Sequence, residues 1–260
     1  MKKMSLPLRW LLLIFAFTAI AACQRGPEAA RKDYAEALKA EGYAAAPVIT
    51  AVAQGGPGTL VITGQAQPDG RVRVLYGQQR AIGVTADASG RFTAELPAGP
   101  EGSVYDLSTE DNGRLIHAEG RLFVPPGQPA KAVLLRPGTS SLPVAPQGLG
   151  IAIVDYDSAG ALGITGRVGP KAALDVLVDG EIRAQPTARA DGVFTAMTQI
   201  APPGVEARTV SLSADAASTS WKRDVAVTKP GAGDRVTPIP EGWRIDWTLP
   251  GGGTQTTLVF

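Results

Sequence analysis

The sequence predicts an all-β protein made of two tandem sandwich domains, each built from antiparallel strands. Segments with alternating apolar and polar residues recur along most of the chain, and glycine, proline and aspartate separate them. In addition, "ITG" occurs at 62–64 and again at 164–166, and "G-x-FTA" occurs at 90–94 and again at 192–196. Both pairs share an offset of 102 residues, which predicts two copies of one domain. The 31 glycines and 21 prolines suit many turns between short strands.

The alternation predicts strands that are buried on one face only. In "RVRVLYG", the side chains of Val72, Val74 and Tyr76 share one face and those of Arg71 and Arg73 share the other. Similar strand-like patterns occur in the segments "TLVITG", "RFTAEL", "RLIHAEGRLFV" and "AVLLRP". Half-buried strands of this kind are typical of antiparallel sheets.

The repeat and the composition set the domain boundaries. The apolar pattern lapses in "PGTSSLPVAPQGLG", so we expect a linker at 138–150 between a first domain at 48–137 and a second at 151–260. A unit of about 100 residues has the size of a β-sandwich domain. In each copy we expect Asp and Gly to form a turn, and Phe92 and Phe194 to enter the two cores.

The repeated segments resemble bacterial immunoglobulin-like modules and the carboxypeptidase-regulatory-like sandwich. The positions that carry the resemblance are, in the first copy, Gly64, Asp69, Gly70, Val72, Val74, Gly77, Asp87, Gly90 and Phe92, and in the second, Gly166, Val176, Val178, Asp179, Gly180, Asp191, Gly192 and Phe194. The second copy departs from the pattern at "VGPKAAL", where the Pro-Asp-Gly turn is missing. The resemblance implies a spacer, an adhesive unit or an interaction platform, and it does not assign a specific role.

The N-terminus predicts export and lipidation. Residues 1–22 combine Lys2, Lys3 and Arg9 with the apolar segment Leu11–Ala22, which is the pattern of a signal peptide. "AIAAC" resembles the lipobox of bacterial lipoproteins, which implies that Cys23 becomes the acylated first residue of the mature chain. The alternative is a plain signal peptide that leaves a free thiol, since a single cysteine forms no internal disulfide.

Lipidation implies a place in the bacterial cell envelope. Gln24 follows the cysteine, and in the enterobacterial sorting rule a residue other than Asp at this position is associated with the outer membrane. Residues 23–47 form the expected tether, with one short helix from Pro27 to Gly42. A partner-docking helix is the alternative for this segment. Cleavage before Cys23 changes the formal charge from +1 to −2, so no nucleic-acid partner is expected.

The polar residues indicate no catalytic or metal site, and no cofactor is expected. His117 is the only histidine, which excludes a site with two histidine ligands, and no "G-x-S-x-G" motif accompanies it. The acidic turns that contain Asp87, Asp155, Asp157 and Asp191 have the oxygen ligands that calcium needs. Turn formation is the interpretation we prefer, because Asp before Gly is a common turn signal.

The tryptophans are the candidate residues for a ligand or partner surface. In "GWRIDWTL", Trp243 and Trp247 share a face with Ile245 and Leu249, which predicts a stripe in the core of the second domain. An exposed aromatic platform formed by Trp243 and Trp247 is the alternative, and Trp221, beside two cations, is a further surface candidate. We expect "LPGGGTQTTLVF" to form a hairpin with the preceding strand, not a phosphate-binding loop.

These observations predict a non-enzymatic envelope lipoprotein with a structural or protein-interaction role, whose partner is another envelope protein. The alternative is a lipoprotein that binds a glycan or peptidoglycan. Exposure of the Trp243–Trp247 pair favours that alternative, and burial of both side chains removes its main support.

Overall fold

The computed structural model describes residues 44–77, 80–99 and 102–260. These residues form antiparallel β-strands and one short 3₁₀ helix at Pro129–Lys131, and no α-helix occurs among them. None of the described helical residues forms a span long and apolar enough to cross a membrane. The prediction of an all-β fold is confirmed.

The first sandwich consists of two sheets. Its strands are β1 (Val48–Gln54), β2 (Thr59–Gln65), β3 (Arg71–Tyr76), β4 (Arg80–Thr85), β5 (Arg91–Pro97), β6 (Ser103–Asp111), β7 (Arg114–His117), β8 (Arg121–Val124), β9 (Val133–Leu135) and β10 (Leu142–Pro143). The first sheet has the order β1-β2-β5, and the second has the order β10-β9-β8-β6-β3-β4, with β7 paired to β6. All the pairs are antiparallel.

The second sandwich also consists of two sheets, but additional strands extend one of them. Its strands are β11 (Gly150–Asp157), β12 (Ala161–Arg167), β13 (Asp175–Val178), β14 (Glu181–Ala184), β15 (Val193–Gln199), β16 (Arg208–Ala216), β17 (Thr219–Val227), β18 (Arg235–Ile239), β19 (Gly242–Thr248) and β20 (Thr254–Val259). The third sheet has the order β15-β12-β11-β20-β19-β18, and the fourth has the order β14-β13-β16-β17. The additional strands β18, β19 and β20 extend the sheet that contains β11 and β12. The expected C-terminal hairpin is β19–β20.

The two repeated motifs form one cross-strand structure in each copy. Gly64 of "ITG" pairs with Phe92 of "FTA", and Gly166 pairs with Phe194 in the same way. A methyl group added at either glycine would overlap the phenylalanine ring and a carbonyl oxygen of the neighbouring strand. Both phenylalanines are buried, as expected. In each copy, the absence of a side chain on the glycine therefore leaves space for the buried phenylalanine ring.

We expect Gly64→Ala and Gly166→Ala each to lower the free energy of unfolding by about 2–3 kcal/mol, because the added methyl group has no space. Urea denaturation measures this difference. Gly83→Ala in β4 is the matched control: no atom lies within 4 Å of an added methyl group there, so its effect should stay within about 0.5 kcal/mol. Equal losses at all three glycines would contradict the packing explanation.

The four sheets stack in chain order and enclose three cores. The first core, between the first and second sheets, contains Ile62, Val74, Phe92 and Leu122. The third core, between the third and fourth sheets, contains among others Tyr156, Ile164, Val176, Phe194 and Leu212. Between them, a middle core joins the outward faces of the second and third sheets. The strands of the two central sheets that meet at the middle core, such as β8, β9, β11 and β20, are therefore covered on both faces.

The segment expected as a linker, 138–150, has ordered structure. It contains β10, which pairs with β9, and two fully buried serines, Ser140 and Ser141. Its last residue, Gly150, begins β11. The chain thus passes from one sandwich to the next through a packed segment.

Candidate functional site at the junction of the sandwiches

The middle core is the feature that joins the two sandwiches. Its buried members are Phe123, Val133 and Leu135 from the second sheet and Ile153, Ile245, Trp247 and Val259 from the third. Trp243 packs at its margin, with the Trp243 and Phe123 ring centroids 6.5 Å apart. The indole N–H of Trp247 donates to the hydroxyl of Thr257 at 3.1 Å. Contact between the sandwiches is thus apolar and closely packed.

A buried carboxylate lies beside this core. Asp155 on β11 accepts hydrogen bonds from the backbone N–H and the hydroxyl of Ser141 (both 2.7 Å), from the hydroxyl of Thr257 (2.6 Å) and from the amide of Gln255 (3.1 Å). Burial raises the pKa of Asp155 to about 6, although these hydrogen bonds act in the opposite direction. No ion-pair partner of Asp155 occurs among the described residues.

The same polar cluster holds the segment that connects the sandwiches. The side chain of Gln255 accepts a hydrogen bond from the Gly138 N–H at 3.1 Å and donates one to the Arg136 carbonyl at 3.3 Å. The Thr165 hydroxyl donates to the Ser141 carbonyl at 2.7 Å. Because these contacts are made to backbone groups, they restrain the path of the chain between the domains.

A cleft of about 500 Å³ opens at the junction, with walls from both sandwiches. Arg121 on β8 lies in it and makes two hydrogen bonds with Asp106, at 2.7 and 3.0 Å. The same guanidinium reaches Asp234 of the second sandwich at 2.7 Å. Burial lowers the pKa of Arg121, but the two carboxylates outweigh this effect and the pKa is raised. The arginine therefore bridges the two sandwiches by charge.

A second cleft, of about 290 Å³, shares Asp106 and Arg121 with the first. His117 lines it together with Glu119 and Leu249. His117 is exposed on β7, and the hydrogen bonds of the described residues include none to its imidazole. The two clefts thus present charged and apolar groups, but no nucleophile paired with a base.

The structure separates the three candidate tryptophans. Trp247 is completely buried in the middle core, and Trp243 is half-buried at its margin. Trp221 is half-buried on β17 and packs against the third core. Trp243 and Trp247 therefore form no exposed platform. Their stripe lies in a core, but this core is the one between the sandwiches and not the core of the second domain alone, because this face of β19 packs against the second sheet.

The opposite face of β19 carries a polar cluster that the alternation alone did not reveal. Arg244 pairs with Asp246 at 2.9 Å and donates to the Tyr156 hydroxyl at 3.0 Å and to the Thr228 hydroxyl at 2.5 Å. Burial raises the pKa of Asp246, but Arg244 and Thr256 outweigh this effect and hold it below its ordinary value. Opposite charges two residues apart on one strand were the only sequence signal of this pair.

The acidic turns form hydrogen bonds typical of tight turns. Asp87 accepts from the N–H groups of Ser89 and Arg91, and Asp157 accepts from those of Ala159 and Ala161. In the described ranges, no group of three or more His, Cys, Asp or Glu residues has the arrangement needed to hold a metal ion. Cys23 and the helix expected at 27–42 lie outside the described residues.

The strand order and the stacked cores define an all-β protein of two tandem, antiparallel, immunoglobulin-like sandwiches. No protein-family description matches the sequence, and no curated protein matches it. Among solved structures, the "Central Fibronectin-III array of RIM-binding protein" is similar over 82% of this chain and 88% of that chain, with 10% sequence identity and a TM-score of 0.29. The strands and the cores define the fold class independently of this structural similarity.

Proposed function

We propose that this chain is a lipid-anchored, non-enzymatic interaction protein of the bacterial cell envelope, with acylated Cys23 as its anchor and another envelope protein as its partner. The observation that carries the proposal is the middle core, which packs the two sandwiches against each other. A hydrophobic interface between domains opposes their relative motion. Such a pair can present a binding surface to which both sandwiches contribute.

The clefts support the same class of function. Some of their charged groups pair with one another, as in the bridge from Asp106 through Arg121 to Asp234. A catalytic site usually needs a nucleophile or general base held by a second group, and the described residues that line the clefts provide no such pair. The glycan-binding alternative depended on an exposed tryptophan pair. Trp247 is buried and Trp243 is half-buried, so the two form no exposed platform to support it.

The anchor is tested by the substitution Cys23→Ser. We expect the variant to lose incorporation of labelled palmitate and to move from the membrane fraction to the soluble envelope fraction, because the thiol is the only site for the lipid. Its urea unfolding curve should match that of the wild-type sandwiches. Retention of Cys23→Ser in the membrane fraction after its signal peptide has been removed would contradict the anchor, and binding of purified glycan strands would favour the alternative function.

A further inference from the structure

The two copies of the repeat differ at one edge. In the second sandwich, β11 pairs with β12 on one side and with β20 on the other. In the first sandwich, the equivalent strand β1 pairs with β2 and ends its sheet. The equivalence is close, because both strands have a register irregularity at the same place, between Ile49 and Ala51 and between Ile151 and Ile153. Within residues 44–77, 80–99 and 102–260, the first copy therefore has no counterpart of β20 beside β1.

Hydrogen bonds in the second copy identify the groups that face the added strand. The N–H of Phe260, just after β20, donates to the Ala152 carbonyl at 3.0 Å. Because backbone groups alternate in direction along an antiparallel strand, Val154 and Tyr156 also direct theirs toward β20. Their partners in the register are Leu258 and Thr256.

The offset of 102 residues transfers this pattern to β1. The equivalents of Val154 and Tyr156 are Val52 and Gln54. The N–H of Gly55, next in the chain, donates to the Thr59 carbonyl at 3.0 Å, so Gly55 faces β2 and its neighbour Gln54 faces away from it. Val52 and Gln54 therefore direct backbone groups toward the outer edge of β1, where no strand of the described residues pairs with them.

The composition of β1 does not protect this edge. Its sequence, VITAVAQ, contains no charged residue and no proline, which are two of the features that block strand addition. The other edge strands β4, β5, β10, β14, β17 and β18 each contain a charge or a proline. β15 is also uncharged, but it ends its sheet in the same position as β5 does in the first copy. Of these two uncharged edge strands, only β1 has an equivalent, β11, that is paired on both sides.

The short helix Pro129–Lys131 lies near β1 without replacing a strand. It is three residues long, against seven in β1. Its terminal bonds stay local, since Lys131 donates to Gln128 and Ala132 donates to Pro129. Ile49 and Val52 form a half-buried apolar rim of the first core beside the open edge. An added strand would cover this rim.

We propose that the open edge of β1 binds an extended, uncharged segment of a partner protein, which pairs antiparallel to β1 and turns apolar side chains at alternate positions toward Ile49 and Val52. This inference rests on the proposed interaction role and specifies the chemistry of the partner. The internal template is β20, whose uncharged sequence TQTTLV places Leu258 in the third core. Main-chain hydrogen bonds supply the affinity in this mode of recognition, and the alternate side chains supply the specificity.

The test uses a fluorescein-labelled peptide with the sequence of residues 254–260, TQTTLVF, and the mature protein in detergent. We expect saturable binding by fluorescence anisotropy and slower amide hydrogen exchange at Val52 and Gln54 when the peptide is bound. Gln54→Pro removes the outward N–H and should weaken binding by about tenfold, which is the effect of one good hydrogen bond. Proline is tolerated on an edge strand where the N–H faces solvent.

Gln54→Thr is the matched control. Like Gln54→Pro, it loses the hydrogen bond from the Gln54 side chain to the Thr59 carbonyl, but it keeps the backbone N–H. It should bind the peptide as the wild type does. No saturable binding, or equal binding by Gln54→Pro, would overturn the proposal. Protection of Val52 and Gln54 in a concentration-dependent dimer without peptide would also overturn it, in favour of a second copy as the occupant. All these outcomes are independent of Cys23 and of the membrane anchor.

Discussion

Trp247→Ala is expected to lower the free energy of unfolding by about 3–5 kcal/mol, the range for removing a large side chain from a close-packed core. Trp247 is completely buried in the middle core and donates its indole N–H to Thr257. Because this core is shared, the substitution should weaken the coupling of the sandwiches as well as their stability. We expect one urea transition in the wild type and two separate transitions in the variant.

Trp221→Ala is the control for this substitution. Trp221 is half-buried and packs against the core of the second sandwich, away from the junction. We expect a loss of at most about 2 kcal/mol, in proportion to the smaller area that it buries, and a transition that stays single. If Trp247→Ala and Trp221→Ala have the same effect, the middle core is not what couples the sandwiches.

Stability is expected to decrease by about 3 kcal/mol as the pH rises from 4 to above 6, because of Asp155. Burial raises the pKa of Asp155 to about 6 in the folded chain, above its ordinary value of 3.8. The folded state therefore holds this proton more tightly than the unfolded state does. The favourable contribution is complete below the unfolded pKa and is lost as the pH rises through the folded pKa.

Urea unfolding at several pH values, with wild type and Asp155→Asn compared, measures this dependence. The variant carries no titrating carboxyl group, so its stability should change much less between pH 4 and 6. Hydrogen bonding and Arg244 lower the pKa of Asp246 against the effect of its burial, so Asp246 affects stability in a more acidic range. An identical pH dependence in wild type and variant would exclude Asp155 as the cause.

The local patterns predicted most of the fold. The alternation in "RFTAEL" placed Phe92, Ala94 and Leu96 on one face, and all three are buried in the first core. The shared offset of "ITG" and "G-x-FTA" predicted the duplication, and the structure adds its reason, the pairing of Gly64 with Phe92 and of the equivalent residues in the second copy. Such features can be predicted from the sequence because they depend on residues that are neighbours along one strand or across one pair of strands.

The candidate site was less accessible to sequence reasoning. The stripe that includes Trp247 was correctly expected in a core, but its place between the sandwiches depends on Phe123 and Leu135, which are more than 100 residues away. Asp155 has the sequence context of a turn residue, and it becomes a buried acceptor only because Ser141 and Gln255 are brought to it by folding.

Alternation, turn residues and the repeat were thus sufficient for the strands, the all-β class and the copies. The stacking of four sheets, the shared core and the open edge of β1 depended on which faces and edges meet in three dimensions. A strand with a two-residue period defines an apolar face without saying which sheet will cover it. In the same way, β1 and β11 share an isoleucine and a valine at equivalent positions, Ile49 with Ile151 and Val52 with Val154. Among the described strands, only the path of the C-terminal segment decides that β11 is covered by β20 and β1 is not.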